Sequence, residues 1–308
     1  GKETVFAEVQ ESSITRDFKN IAYTVASKKT ENNGVFYADV LDASKPQTLA
    51  KAAGRFYRLA WDDAQTKLAF FFDDAPPPAT TGATPGTPST FRGRRAPEAT
   101  PSATLPPVST AKPRVYLWER PTKEKSFSPA VQVLGPDAAG LKKGWQIVDR
   151  GGLGFSADGL KLTVSAAPEP EKTPEPKKGA PPGSPVERVE LDLWHWKDEA
   201  IQPMQKIRAA ISRSRSYPAA YLLDDKRFVH LADEDRALRA PEFGDWTVGS
   251  SDKKYRAQTW ESPTPSDYAL VNVRTGEAKP ILTAARSSLA TSPNGKYAAG
   301  FDGKNWFS

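Results

Sequence analysis

Five times along this chain a short polar turn gives way to a run of aromatic and β-branched residues. Asp17-Phe18-Lys19-Asn20 precedes Ile21–Val25, and Asp62–Lys67 precedes Leu68–Phe72. Ser156-Ala157-Asp158-Gly159 precedes Leu160–Val164, Ser250–Lys254 precedes Tyr255–Trp260, and Ser292-Pro293-Asn294-Gly295 precedes Lys296–Phe301. Asp-Gly and Asn-Gly supply the positive φ that tight two-strand turns require, and the flanking runs have the length and residue types of strands. Before four of the turns lies another short run: Arg58–Trp61, Gly154-Phe155, Trp246–Gly249 and Ser288–Thr291. After the first four units comes a further strand: Val35–Val40, Val115–Glu119, Val189–Trp196 and Tyr268–Val273. Thr275-Gly276-Glu277 leading to Pro280-Ile281-Leu282, and Asp42–Lys45 leading to Thr48-Leu49, add a fourth strand to their units. Repeated units of four short strands describe an all-β fold, a β-propeller of four-stranded blades.

The spacing agrees in part. Ala22 to Ala69 is 47 residues and Gln258 to Ala299 is 41, both near the roughly 40–50 of a propeller blade. The two middle intervals are about twice as long, and each holds a Pro-rich excursion. Of 28 prolines, ten fall in 75–113 and seven in 168–185, too many for regular structure. The rest of both stretches is Ala, Thr, Ser, Gly and charge, which reads as low-complexity loop. Both are expected between the third strand and the outer strand of a unit, on one rim, where a repeat fold tolerates insertion. The expectation is therefore one partial propeller domain over 1–308, with about five blades, two long inter-strand loops and one short helix. The fifth blade stops after its third strand, so further blades are expected beyond Ser308. The helix is expected where Ile201, Met204, Ile207 and Ile211 recur at helical spacing, with Pro203 in the first turn and Asp198 as N-cap. A strand pair, Ala219–Leu223 and Phe228–Leu231, follows it around Asp224-Asp225-Lys226.

The net charge of +6 is modest, and Arg92, Arg94, Arg95 and Lys112 of the first excursion supply half of it against Glu98. The remaining basic residues are spread along alternating strands, so no nucleic-acid partner is expected. With no cysteine, disulfides, thiolate metal sites and cysteine nucleophiles are excluded. No segment approaches the roughly 18 apolar residues of a membrane helix, and the first residues lack the apolar stretch of a signal peptide.

Arg58-Leu59-Ala60-Trp61 with Lys67-Leu68-Ala69-Phe70, then Gly154–Gly159, Ser292–Tyr297 and above all Trp194-His195-Trp196-Lys197-Asp198 with Gln205 resemble the N-terminal propeller of prolyl oligopeptidase family serine peptidases. The nearest likeness is to the dipeptidyl-peptidase and acylaminoacyl-peptidase branch. The resemblance implies that a hydrolase domain with a Ser-Asp-His triad follows, that the propeller gates peptide access to it, and that the protein is periplasmic or secreted. It implies a peptide substrate and no cofactor, and is compatible with a homo-oligomer. The branch that grips a free amine uses paired glutamates on a helical segment. Here only Asp233-Glu234-Asp235, in a polar turn, offers acids for substrate binding, against the alternative of a solvated loop. A stand-alone propeller acting as a protein-interaction scaffold is the competing reading.

The remaining motifs are structural. A nucleophile elbow needs G-x-S-x-G, but Gly154-Phe155-Ser156-Ala157-Asp158 has Asp in place of the last Gly and leads into a strand. Gly152–Ala157 matches a relaxed dinucleotide pattern, which works only at a helix N-terminus; here a hairpin follows. His195 and His230 are 35 residues apart and form no zinc pair. His195 is expected to pack between its neighbouring tryptophans. The eight Trp, one or two per blade, are assigned to core and inter-blade packing.

Overall fold

The computed structural model describes residues 5–42, 45–74, 112–121, 126–170, 195, 198–199, 202–238, 244–257, 262–292, 296–301 and 304–308. The strands form five successive antiparallel sheets. The first runs β1 (Val9–Ile14), β2 (Asn20–Val25), β3 (Gly34–Asp39), β4 (Gln47–Lys51), and the second β5 (Arg55–Trp61), β6 (Lys67–Asp73), β7 (Arg114–Glu119), β8 (Val131–Leu134). The third contains β9 (Trp145–Val148), β10 (Gly154–Phe155), β11 (Lys161–Pro168), then, after helix α1 (Gln202–Arg213), β12 (Tyr217–Leu222) and β13 (Arg227–His230). The fourth is β14 (Ala237–Leu238), β15 (Trp246–Ser251), β16 (Ser266–Asn272), β17 (Ala278–Ala285). The fifth has three strands, β18 (Leu289–Thr291), β19 (Ala298–Phe301) and β20 (Trp306–Phe307).

In each sheet an inner strand is paired on both sides: β2, β6, β11, β15 and β19. In the second sheet that strand, β6, meets a neighbouring sheet on each face, with Leu68, Phe70 and Phe72 on one side and Ala69 and Phe71 on the other. In β6, Leu68, Ala69, Phe70 and Phe71 are all fully buried. Two large clusters fill the spaces between sheets. One joins Val35, Tyr37 and Leu49 of the first sheet to Phe56, Phe70 and Trp118 of the second. The other joins Phe71 and Val115 of the second to Leu162, Val164 and Tyr221 of the third. A smaller cluster of Leu222, Val229, Leu231 and Val273 links the third to the fourth. The first strand β5 lies against both β1 and β10. Sheets packed face to face in chain order, with β1, β5 and β10 adjoining in the first three, are propeller blades.

One local device builds the hairpins. In four turns a side-chain oxygen accepts the backbone N–H five residues on: Thr15 from Asn20 (3.0 Å), Asp62 from Lys67 (2.7 Å), Ser156 from Lys161 (3.0 Å) and Ser292 from Tyr297 (3.0 Å). A short polar side chain substitutes there for a backbone acceptor. Turns of adjoining sheets are then stitched together. Arg16 reaches Asp63, Lys67 Nζ donates to the Gly159 carbonyl at 3.1 Å, and Lys161 Nζ bridges Asp158 and Asp245 at 3.1 and 3.3 Å.

Several sequence expectations need correction. Tyr255–Ala257, the described part of the expected strand Tyr255–Trp260, is turn and not strand. Ser250–Lys254 lies at the end of β15, followed by a 3-10 turn at Lys253–Tyr255, and Trp246–Ser251 is itself the doubly paired strand. Gln258, from which the 41-residue interval is counted, lies outside the described residues. Val189–Trp196 also lies outside them apart from His195; the partner of β11 is β12, which had been read as part of a separate pair. Both excursions do occupy equivalent places, but these join the second strand to the third. Their roots meet: Lys112 Nζ lies 2.8 Å from Glu169 of the other. Residues 112–113 and 168–170 are described, with Pro168 closing β11. Helix α1 forms, yet Met204, Ile207 and Ile211 are exposed. Asp198 stands four residues before its first turn and accepts from the His195 N–H and Gln205 Nε2, so it is not an N-cap.

Candidate functional site

The acidic turn Asp233-Glu234-Asp235 follows β13, where the chain crosses from the third sheet to the fourth. Asp233 is consumed by the turn: its Oδ1 accepts the N–H groups of Asp235 (3.1 Å) and Arg236 (2.9 Å). Its other oxygen faces Lys142 Nζ at 3.6 Å. Glu234 and Asp235 instead line a cavity of about 140 Å³ together with Arg215, Asp252 and Arg256. Asp235 pairs with Lys253 at 2.6 Å, and that hydrogen bond holds its carboxyl below the usual range. Arg256 bonds to Asp252 at 2.9 Å, Glu199 at 3.2 Å and the Glu234 carbonyl at 3.1 Å; Asp252 foremost raises its affinity for its proton. The structure thus gathers two of the three expected acids into one cavity and turns the third away. It adds Arg215 and Arg256, which no local motif marked.

His230 ends β13. Its Nε2 accepts the Lys142 N–H at 3.0 Å, and its ring stands edge-on to Trp145 and Phe228 at 5.2 and 5.0 Å. Burial, then the Lys142 charge, lower its pKa to about 4. It is a neutral packing histidine in a wall of aromatic rings. His195 is exposed, with Trp194 and Trp196 outside the described residues. Ser156 is bonded into its hairpin with Asp158 and Lys161, so its hydroxyl serves the turn.

The tryptophans divide. Trp118 is fully buried between the first two sheets, 4.7 Å from Tyr37 and 6.2 Å from Trp61, and donates to the Ser128 carbonyl at 3.0 Å. Trp246 and Trp306, expected in packing roles, are exposed. Trp246 borders a second cavity of about 410 Å³ between the fourth and fifth sheets, with Leu270 and Tyr297. Among the described residues no group of His, Asp and Glu is arranged to hold a metal ion, and no helix is long and apolar enough to cross a membrane.

No family model and no curated protein matches the sequence. Solved structures to which the chain is similar include two peptidases and the β-propeller domain of a third. A prolyl endopeptidase is 10% identical with a TM-score of 0.39 over 95% of this chain and 31% of its own. Acylaminoacyl peptidase is 11% identical, TM-score 0.37, over 97% of this chain and 39% of its own. The β-propeller domain of the Trilobed protease from Pyrococcus furiosus is 11% identical, TM-score 0.36, over 99% and 71%. The chain therefore spans about a third of the length of the first two, and the fold itself rests on the sheets described above.

Proposed function

We propose that this chain is the non-catalytic propeller of a serine peptidase resembling the prolyl oligopeptidase family, and that it selects the peptides that reach an α/β-hydrolase domain encoded after it. The observation that carries the reading is the adjoining of the first strands β1, β5 and β10. Blades set this way frame an axial passage, which admits an extended chain and holds back a folded one. The experiment is to extend the reading frame past Ser308 and assay both forms with a chromogenic dipeptide. The expected outcome is several hundred further residues with a G-x-S-x-G elbow and a later Asp and His. The long form then turns over the dipeptide, sensitive to a serine-reactive inhibitor, and 1–308 does not. A stop codon shortly after the last blade, or inhibitor-sensitive turnover by 1–308 alone, overturns the proposal.

The exposed stripe of Met204, Ile207 and Ile211 on α1 favours a second reading, a scaffold that docks protein partners. The same stop codon that defeats the first reading supports this one.

A further inference from the structure

On one rim, arginines recur as the chain runs into strands of successive sheets. Arg55 opens β5, Arg150 lies between β9 and β10, Arg215 precedes β12 and Arg236 precedes β14. Contacts connect them in a line. The Arg55 guanidinium lies 4.6 Å from the Tyr57 ring centre, and the charge of Asp149, the neighbour of Arg150, acts on the Tyr57 hydroxyl. A Cβ on Gly151 would stand 1.8 Å from Ser165 Oγ and 3.1 Å from Ser216 Oγ, so the backbone after Arg150 presses on the residue that follows Arg215. Arg215 lies over Tyr217 at 5.6 Å and borders the cavity of Glu234 and Asp235, which immediately precede Arg236.

These cations differ from their neighbours on the same rim. Lys112, Arg114, Lys253 and Arg256 each hold a carboxylate at 2.6–2.9 Å. Among the described residues Arg55, Arg150, Arg215 and Arg236 hold none, and the Nε atoms of Arg55, Arg150 and Arg236 are buried without a hydrogen-bond partner. A guanidinium keeps its proton and carries five donors. With Nε buried, the terminal nitrogens of each such guanidinium are the donors a carboxylate can meet.

We propose that this arc of Arg55, Arg150, Arg215 and Arg236 binds an extended acidic peptide through its carboxylates. The planar fork of arginine fits a carboxylate with two parallel bonds. Groups set on three consecutive sheets suit acceptors spaced along a chain better than one compact anion. The rings along the arc, Tyr57 and Tyr217, are buried beneath Arg55 and Arg215, so neither offers an exposed face on which a nucleic-acid base could stack. The inference does not rest on the peptidase reading, since a scaffold would use the same arc.

The test is fluorescence anisotropy of chain 1–308 with labelled hexaglutamate at low and physiological salt, with hexalysine and oligothymidylate as comparisons. Hexaglutamate is expected to bind, more weakly at higher salt, and hexalysine not. R55Q/R150Q is expected to weaken binding about a hundredfold and the exposed-site variant R215Q about tenfold, at about tenfold for each charged contact, while R16Q on the opposite rim leaves it unchanged. Thermal melting checks folding, and R215Q keeps the test open if the double variant unfolds. Absence of hexaglutamate binding, equal affinity in R215Q and R16Q, or tighter binding of oligothymidylate overturns the proposal.

Discussion

Lowering the pH from 7.5 to 5 should destabilise the protein through one side chain, His230. Its Nε2 accepts the Lys142 N–H, its Nδ1 is buried with no partner, and Trp145 and Phe228 flank the ring. Two charged groups face it: Lys142, which disfavours the imidazolium, and Asp233, which favours it less strongly. The folded pKa is about 4 against an ordinary 6.5. Above about pH 6.5 the ring is neutral in both states and this stability is fully present. Below it the unfolded chain takes up a proton that the folded one refuses, until the folded ring also protonates near pH 4. At about 1.4 kcal/mol per pH unit the fall from about pH 6.5 to 5 sets a ceiling of about 2 kcal/mol, and partial exposure to solvent brings it to about 1 kcal/mol. Urea denaturation at pH 7.5, 6.5, 5.5 and 5 reads this directly. The carboxylates with lowered pKa, such as Asp267 at about 2, lose most of their contribution below this window. H230Q, whose amide oxygen can still accept the Lys142 N–H, should flatten the slope between pH 6.5 and 5. An equal slope in the wild type and H230Q refutes the assignment.

Three further perturbations test the packing between blades. K161M removes a buried ammonium whose partners Asp158 and Asp245 keep contact with water, so it should cost about 1 kcal/mol, read as a lower urea midpoint, with the largest loss of amide protection across β11 and β15. W118A empties a fully buried site between the first and second sheets and should cost about 3–5 kcal/mol in the same denaturation assay; a loss under 1 kcal/mol would show that those sheets are not packed on one another. Glu11 accepts the Arg58 and Leu59 N–H groups at 2.6 and 2.9 Å, where β5 bulges and Arg58 has φ of 56°. E11A should therefore cost about 1–3 kcal/mol and speed amide exchange at residues 58 and 59 first.

What the sequence disclosed followed from how local each device is. The hairpins at Thr15, Asp62, Ser156 and Ser292 close through a side chain and an amide five residues apart, so their residue types cluster visibly. The same chemistry misled at Ser250-Ser251-Asp252, because Ser and Asp beside Lys serve a strand end and a 3-10 turn as readily as a hairpin. The apolar stripe of α1 shows the limit of periodicity: spacing of 3.6 dictates a helix with one oily side, but not that anything covers it. The strands β8, β9 and β14 were missed because four residues or fewer carry little pattern. The candidate sites lie further out of reach. Asp235 reads as one more turn acid until Lys253, from the end of another strand, meets it. Arg55, Arg150, Arg215 and Arg236 span about 180 residues of sequence, and only the winding of three sheets around a common edge sets them side by side. In a fold built this way the turns encode the blades one at a time. Binding arises on a rim to which each blade adds one or two residues, so its chemistry is composed by the ring and belongs to no single stretch of chain.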